Sequence, residues 1–118
     1  MSSHRGFGRG DAAEAQAAAF LERQGFRVVA RNVAARTGEL DIVALERGVL
    51  CFVEVRARSS DRWGAAEETV GRRKQERLAR VAERFLATWP DRDVACRFDV
   101  VAVTPGPKLT LIRDAFRL

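Results

Sequence analysis

Histidine occurs once in this sequence, at His4, and cysteine twice, at Cys51 and Cys96. Tyrosine is absent. The lone imidazole sits in a Gly-, Ser- and Arg-rich opening stretch. The folded part therefore has no base for a Ser-His-Asp or Cys-His mechanism. A zinc site of the usual Cys/His kind is not expected either, since neither cysteine has metal-site spacing. Both cysteines lie in apolar, strand-like runs and read as buried, reduced thiols. No stretch approaches the roughly 18 apolar residues of a membrane span. The opening "MSSHRGFGRG" has no apolar run of signal-peptide type, so a cytoplasmic location is expected.

Positive charge is what the chain has in quantity. Lys and Arg number 21 against 16 Asp and Glu, a formal net charge of +5, and only Lys74 and Lys108 are lysine. A small basic domain points to a polyanionic partner, of which nucleic acid is the commonest. A length of 118 residues suits one domain with a real core, needing no disulfide or structural metal. With histidine and cysteine chemistry set aside, carboxylates must carry any reaction, together with basic residues or a hard metal ion.

Residues 1–10 read as a flexible tail and residues 11–118 as a single domain. Asp11 to Gln24 has helical spacing, with Ala17, Phe20 and Leu21 as its apolar stripe. Asp11 is placed to cap it, Glu14 follows at capping-box distance, and Gly25 is a stop. Phe26–Val33, Glu39–Glu46 and Val49–Arg58 read as strands, with Arg47-Gly48 as a hairpin turn. A loop, "RSSDRWGAAEE", leads to a second helix over Val70–Trp89, ended by Pro90. Ala95–Val103 and Leu109–Arg113 read as two further strands. The order is α-β-β-β-α-β-β.

The stretch "GELDIVALERGVLCFVEVRAR" sets three acids, Glu39, Asp41 and Glu54, among residues of a buried sheet. Side chains on a strand alternate, which puts Glu39 and Asp41 on one face and Leu40, Ile42 and Ala44 on the other. Both faces are largely apolar, so these are central strands covered on both sides. A two-residue turn at Arg47-Gly48 sets Asp41 opposite Glu54 and Glu39 opposite Arg56, whereas a three-residue loop shifts this by one. Opposed carboxylates in a covered sheet repel, and one takes up a proton. Relief comes from Arg56, from solvent at the strand ends, or from a divalent cation, for which oxygen ligands favour Mg²⁺ or Mn²⁺. A surface hairpin with a salt bridge to Arg56 fits the spacing equally well.

These residues resemble the YraN-like family of small bacterial proteins. The resemblance rests on "TGELDIVAL…GVLCFVEVRAR", on "GRGDAAEAQAAAFLERQGFRVVARN", on "RRKQERLARVAERFL" and on "RFDVVAV", and it spans roughly residues 6 to 118. It implies a restriction-endonuclease-like α/β fold, with a mixed central sheet flanked by helices. It also implies similarity to archaeal Holliday junction resolvases. Under it, Glu14 matches a helix-one glutamate of the resolvases, Glu39 and Asp41 match the "GE-x-D" acids, and Glu54 matches the second half-motif. Arg56 stands where the superfamily has lysine. Arginine stays protonated, so it can hold a phosphate or steady negative charge but cannot act as a general base. The implied activity is Mg²⁺- or Mn²⁺-dependent phosphodiester hydrolysis on branched or structured DNA, with Asp41, Glu54 and the Val55 carbonyl as metal ligands. A homodimer follows by analogy with junction-cutting relatives, and a protein partner is compatible with it. The alternative is a non-catalytic nucleic-acid-binding or adaptor module that keeps the fold.

Three further signals bear on DNA. "GRRKQERLAR" gathers Arg72, Arg73, Lys74, Arg77 and Arg80 at the start of the second helix, either as a phosphate-contacting stripe or as a solvated face with Glu76 paired to Arg80. Arg58 and Trp63 lie in a basic loop that either contacts nucleic acid or packs over the sheet end. Asp99 reads as a structural partner for a nearby arginine.

Overall fold

The computed structural model describes residues 9–57 and 70–117, with side chains from residue 12 onward. The elements are α1 (Arg9–Arg23), β1 (Arg27–Ala35), β2 (Gly38–Glu46), β3 (Val49–Ala57), α2 (Arg72–Leu86), β4 (Ala95–Thr104) and β5 (Lys108–Phe116). The order is the expected α-β-β-β-α-β-β, and the fold is α/β with a mixed five-stranded sheet. Helix α1 starts two residues earlier than Asp11, which is therefore the third helical residue rather than the cap. The helix closes at Gly25, whose φ of 102° is easy only for glycine.

Both residues of the Arg47-Gly48 turn have positive φ, 51° and 81°. This mirror-type turn matches the twist of the flanking strands. Glu46 therefore pairs with Val49, and the antiparallel ladder runs outward to Ile42–Val53. Helix α2 is the crossover that lets β4 lie parallel to β3, and β5 returns antiparallel to β4. The strands lie side by side in chain order, β1 to β5.

One helix covers each face. Ala13, Ala17 and Leu21 of α1 pack on Ile42, Ala44, Cys51, Val53 and Val101. Leu78, Val81 and Ala82 of α2 pack on Leu40, Val43, Leu50, Phe52 and Val100. Each fully buried Leu, Val or Phe contributes roughly 1.5–3 kcal/mol. Phe52 also meets Phe85 edge-on at 6.2 Å.

Strict alternation would put Leu40 on the side of Ile42. Instead Leu40 packs on the α2 side with Val43, while Ile42 and Ala44 pack on the α1 side. The alternation breaks at Asp41. In register with it, between the Val33–Leu40 and Arg31–Ile42 pairs, stands Asn32 of β1 with φ 54°. A residue in the left-handed region re-aims a strand locally, and here it does so beside the acids.

The far end of the sheet carries an ionic knot. Asp99 is fully buried and accepts from Arg97 Nε and the Asp114 N–H, each at 2.8 Å. It is the structural partner the sequence suggests, and it sits where the β4–β5 register slips between Phe98 and Val100. Arg97 and Arg113 both bond Glu46 and lie 5.9 and 5.6 Å from the Phe26 ring centroid. The Arg113 guanidinium, helped by Arg97, holds the Glu46 carboxyl down at about 2.

The cysteines differ from each other. Cys51 is buried, and burial, helped by the nearby Asp99 carboxylate, pushes its thiol up to about 12. Cys96 is exposed, contrary to the sequence reading. Strand β4 enters the core gradually, with Ala95 and Cys96 open and burial complete only from Asp99. Among the described residues no helix is long and apolar enough to cross a membrane.

Candidate active site

Strands β2 and β3 run on past Ile42–Val53 to Gly38 and Ala57, but their ladder ends there. The next residue on β2 is Asp41. Its Oδ2 accepts the backbone N–H of Val55 at 2.8 Å. A side chain thus takes the bond that a strand carbonyl would otherwise receive, and the backbone pairing stops. Beyond this point lies a cavity of about 390 Å³. Glu14 from α1, Glu39 and Asp41 from β2, Glu54 and Val55 from β3, and Lys74 and Arg77 from α2 all line it.

Each wall has a local cause. Glu14 lies on the sheet-facing side of α1 with Ala17 and Leu21, is 4% exposed, and has Arg31 Nη2 at 3.9 Å from its Oε1. It stands in the second turn of a helix that begins at Arg9, too far from the start for the capping role that its spacing suggests. Glu54 is buried, with Lys74 Nζ 2.7 Å from its Oε2 and Arg56 Nη1 at 3.5 Å. Lys74 reaches it because it shares a face of α2 with Leu78 and Val81, which anchor that face to the sheet. Asp41 is pushed up to about 8, by burial first, then by the Glu54 charge and more weakly by Glu14. The Val55 N–H and Lys74 pull it the other way.

The remaining predicted residues fall elsewhere. Arg56 touches Glu54 but does not line the cavity. The expected Glu39–Arg56 strand pair does not form, because the ladder has ended, and Glu39 pairs with Ala34 of β1 instead. Arg72 and Arg73 are exposed in the first turn of α2, outside the cavity. Arg58 and Trp63 lie outside the described residues. Sequence reasoning missed the Val55 N–H bond to Asp41 and the Glu46–Arg97–Arg113 knot. No spacing rule encodes either one, since both are long-range contacts.

Among the described residues no three His, Cys, Asp or Glu side chains form a ready-made metal cage. The acidic donors that line the cavity are all oxygen, with two carboxylates, Asp41 and Glu54, close enough to raise the pKa of one. That set fits Mg²⁺ or Mn²⁺, which one or two carboxylates hold with waters and substrate phosphates completing the shell. A divalent ion held by Asp41 and Glu54 would also offset the Glu54 charge that, after burial, raises Asp41.

Beside the cavity, Arg73, Arg77, Arg80 and Arg84 form an exposed stripe along α2. At 1.5 Å per residue it is about 16 Å long. None of the four makes an ion pair with another described residue, and the Glu76–Arg80 pair that would neutralise the face does not form. The helix starts at Gly71 with no side-chain cap and no acid in its first turn.

The sequence matches the profile of a family described as "Uncharacterised protein family UPF0102" over residues 13–103. It is 48% identical over 111 residues to a UPF0102 protein of Symbiobacterium thermophilum, covering 91% of this chain and 94% of that protein. A UPF0102 protein of Burkholderia pseudomallei strain 1106a is 51% identical over 111 residues, covering 93% and 76%. One of Burkholderia thailandensis is 52% identical over 109 residues, covering 92% and 74%. The span 13–103 takes in Glu14, Glu39, Asp41, Glu54 and Lys74.

Proposed function

This chain belongs to the UPF0102 family, to which its YraN-like resemblance points, and we propose that it is a metal-dependent nuclease acting on branched or structured DNA. The observation that carries this reading is the convergence of Asp41 and Glu54 in one cavity beside an exposed arginine stripe. A pure binding protein has little use for clustered acids next to a phosphate groove.

Asp41, Glu54 and the Val55 carbonyl would hold Mg²⁺ or Mn²⁺. When bound, the ion supplies Lewis acidity toward a phosphoryl oxygen and lowers the pKa of a coordinated water. Glu39 and Glu14 stand on the cavity wall, where they would orient an attacking water. Arg77, at the mouth, and the exposed arginines of α2 take phosphates on either side of the reacting one. The preference for branched DNA is drawn from the resemblance to junction resolvases, and a homodimer would match the two-fold symmetry of a junction.

The test is to offer the protein linear, flapped and four-way-junction DNA in Mg²⁺, Mn²⁺ or EDTA. Metal-dependent cutting that favours the branched forms is expected. Binding without cutting supports the second reading, a nucleic-acid-binding or adaptor module that retains the fold. One observation favours that reading: the strand position that carries lysine in the superfamily is Arg56 here. Restoration of cutting by an added protein fraction would instead indicate a required partner.

A further inference from the structure

We propose that Lys74, delivered from α2, supplies the positive charge that works on the reacting phosphate, and that Arg56 of β3 does not. The inference rests on the nuclease reading and assigns a residue to the same site. Lys74 Nζ lies 2.7 Å from Glu54 Oε2, against 3.5 Å for Arg56 Nη1. Lys74 lines the cavity that Asp41 and Glu54 share, and Arg56 does not. Its side chain is 38% exposed while Glu54 is 6% exposed, so the ammonium stands between a buried acid and the open mouth. A phosphate that enters past Arg77 meets it before reaching Glu54. The position is electrostatically unfavourable in the protein alone. Arg72, Arg73 and Lys74 crowd the positive end of a helix with no acid in its first turn, which an incoming phosphate offsets.

Lysine also suits this role better than the arginine on the strand. An ammonium is a compact charge on a flexible stem and can stay on Glu54 while it turns toward a phosphoryl oxygen. In hydrolysis the oxygen of water bonds to phosphorus as the P–O ester bond breaks. One proton of the water leaves to solvent, and the departing alkoxide takes up another. Negative charge on the non-bridging oxygens must be held throughout, and Lys74 holds it without itself giving or taking a proton. Arg56 is a positioning residue that steadies the Glu54 carboxylate from the side.

Lys74 and Lys108 are the only lysines in the chain, so lysine labelled with ¹³C at the ε-carbon gives two signals, assigned with Lys74→Arg. Four-way-junction DNA is added in EDTA, where no hydrolysis proceeds. The Lys74 signal should shift on binding while the Lys108 signal stays. A Lys74 signal that does not move at saturating DNA overturns the proposal. In Mg²⁺, Lys74→Ala should lose on the order of 10²–10³-fold in single-turnover rate, with DNA affinity changed less than threefold. Lys74→Arg should keep part of the rate, and Arg56→Ala should lose less than tenfold. Full rescue of Lys74→Ala by Arg56→Lys would place the working charge on the strand and refute the inference. Circular dichroism and urea melts of each variant separate impaired chemistry from impaired folding. If wild type shifts at Lys74 yet never cuts, the nuclease reading fails while the phosphate contact stands.

Discussion

Replacing Asp41 with asparagine should stabilise the metal-free protein at neutral pH. The Asp41 carboxyl is pushed from its ordinary 3.8 up to about 8, chiefly by burial and the Glu54 charge. Between those two values the folded protein holds a proton that the unfolded chain has released. Folding therefore takes up a proton, and the stability of wild type falls as pH rises through this window. For one proton the slope approaches about 1.4 kcal/mol per pH unit, and it levels off above about pH 8. From about pH 5 to about pH 7 this group alone removes on the order of 2–3 kcal/mol. Asparagine keeps an oxygen for the Val55 N–H, bonded at 2.8 Å in wild type, and carries no charge. Its stability should lack this component of the slope. The assay is urea unfolding of both proteins in EDTA at pH 5, 6, 7 and 8, with m-values compared to confirm like unfolding. The difference curve reports Asp41 together with the cavity groups its charge acts on, because groups remote from the cavity titrate alike in both. An Asp41→Asn protein that is less stable than wild type at pH 7 and 8, or that shows no pH-dependent difference, refutes the reasoning. Added Mg²⁺ should stabilise wild type and leave Asp41→Asn unchanged, since the proposed metal site needs both carboxylates.

Three further outcomes follow. Glu46 is held at about 2, below its ordinary 4.5, so its contribution is present above about pH 4.5 and fades as pH falls toward 2. Glu46→Gln should be less stable than wild type at pH 7 in a thermal melt, and the gap should close across that acid window. A thiol-reactive dye should label Cys96 rapidly in the native protein and Cys51 only after denaturation, because Cys51 is buried with its thiol at about 12. Replacing Arg73, Arg77, Arg80 and Arg84 with alanine one by one should lower the slope of log Kd against log salt for DNA by roughly 0.9 for each phosphate no longer neutralised. An unchanged slope, measured by fluorescence anisotropy, would remove α2 from the interface.

Much of the fold is legible because its signals are local. The Arg47-Gly48 dipeptide fixes a two-residue turn, and the turn fixes the Glu46–Val49 register. From there, counting holds as far as Ile42–Val53 and stops one pair short of the expected Asp41–Glu54 pair, although both residues line the same cavity. Alternation breaks at Asp41, in register with Asn32, which takes a left-handed conformation on the neighbouring strand, and asparagine alone does not announce it. The ladder ends where the Asp41 side chain takes the Val55 N–H, so the Glu39–Arg56 pair expected from the register is not made. Helix periodicity shows which side of α1 is apolar, but the helix start does not follow from it. Asp11 and Glu14 look like a capping pair, yet Glu14 is buried in the cavity wall. Whether Lys74 meets Glu54 depends on how α2 lies on the sheet, set by Leu78 and Val81 packing on β2 and β3 residues far away in sequence. Strand-like composition likewise could not separate buried Cys51 from exposed Cys96, because both sit in apolar runs and only the cover over them differs.

The central claim is that Asp41 and Glu54 together make a metal-dependent phosphodiesterase. It is tested most directly by single-turnover cleavage of a four-way junction in Mg²⁺ or Mn²⁺, comparing wild type with the Asp41→Ala/Glu54→Ala double variant. Wild type should cut, EDTA should stop it, and the double variant should bind the junction without cutting. Cleavage that persists in the double variant, or a wild type that binds the junction in either metal and never cuts it, would contradict the claim.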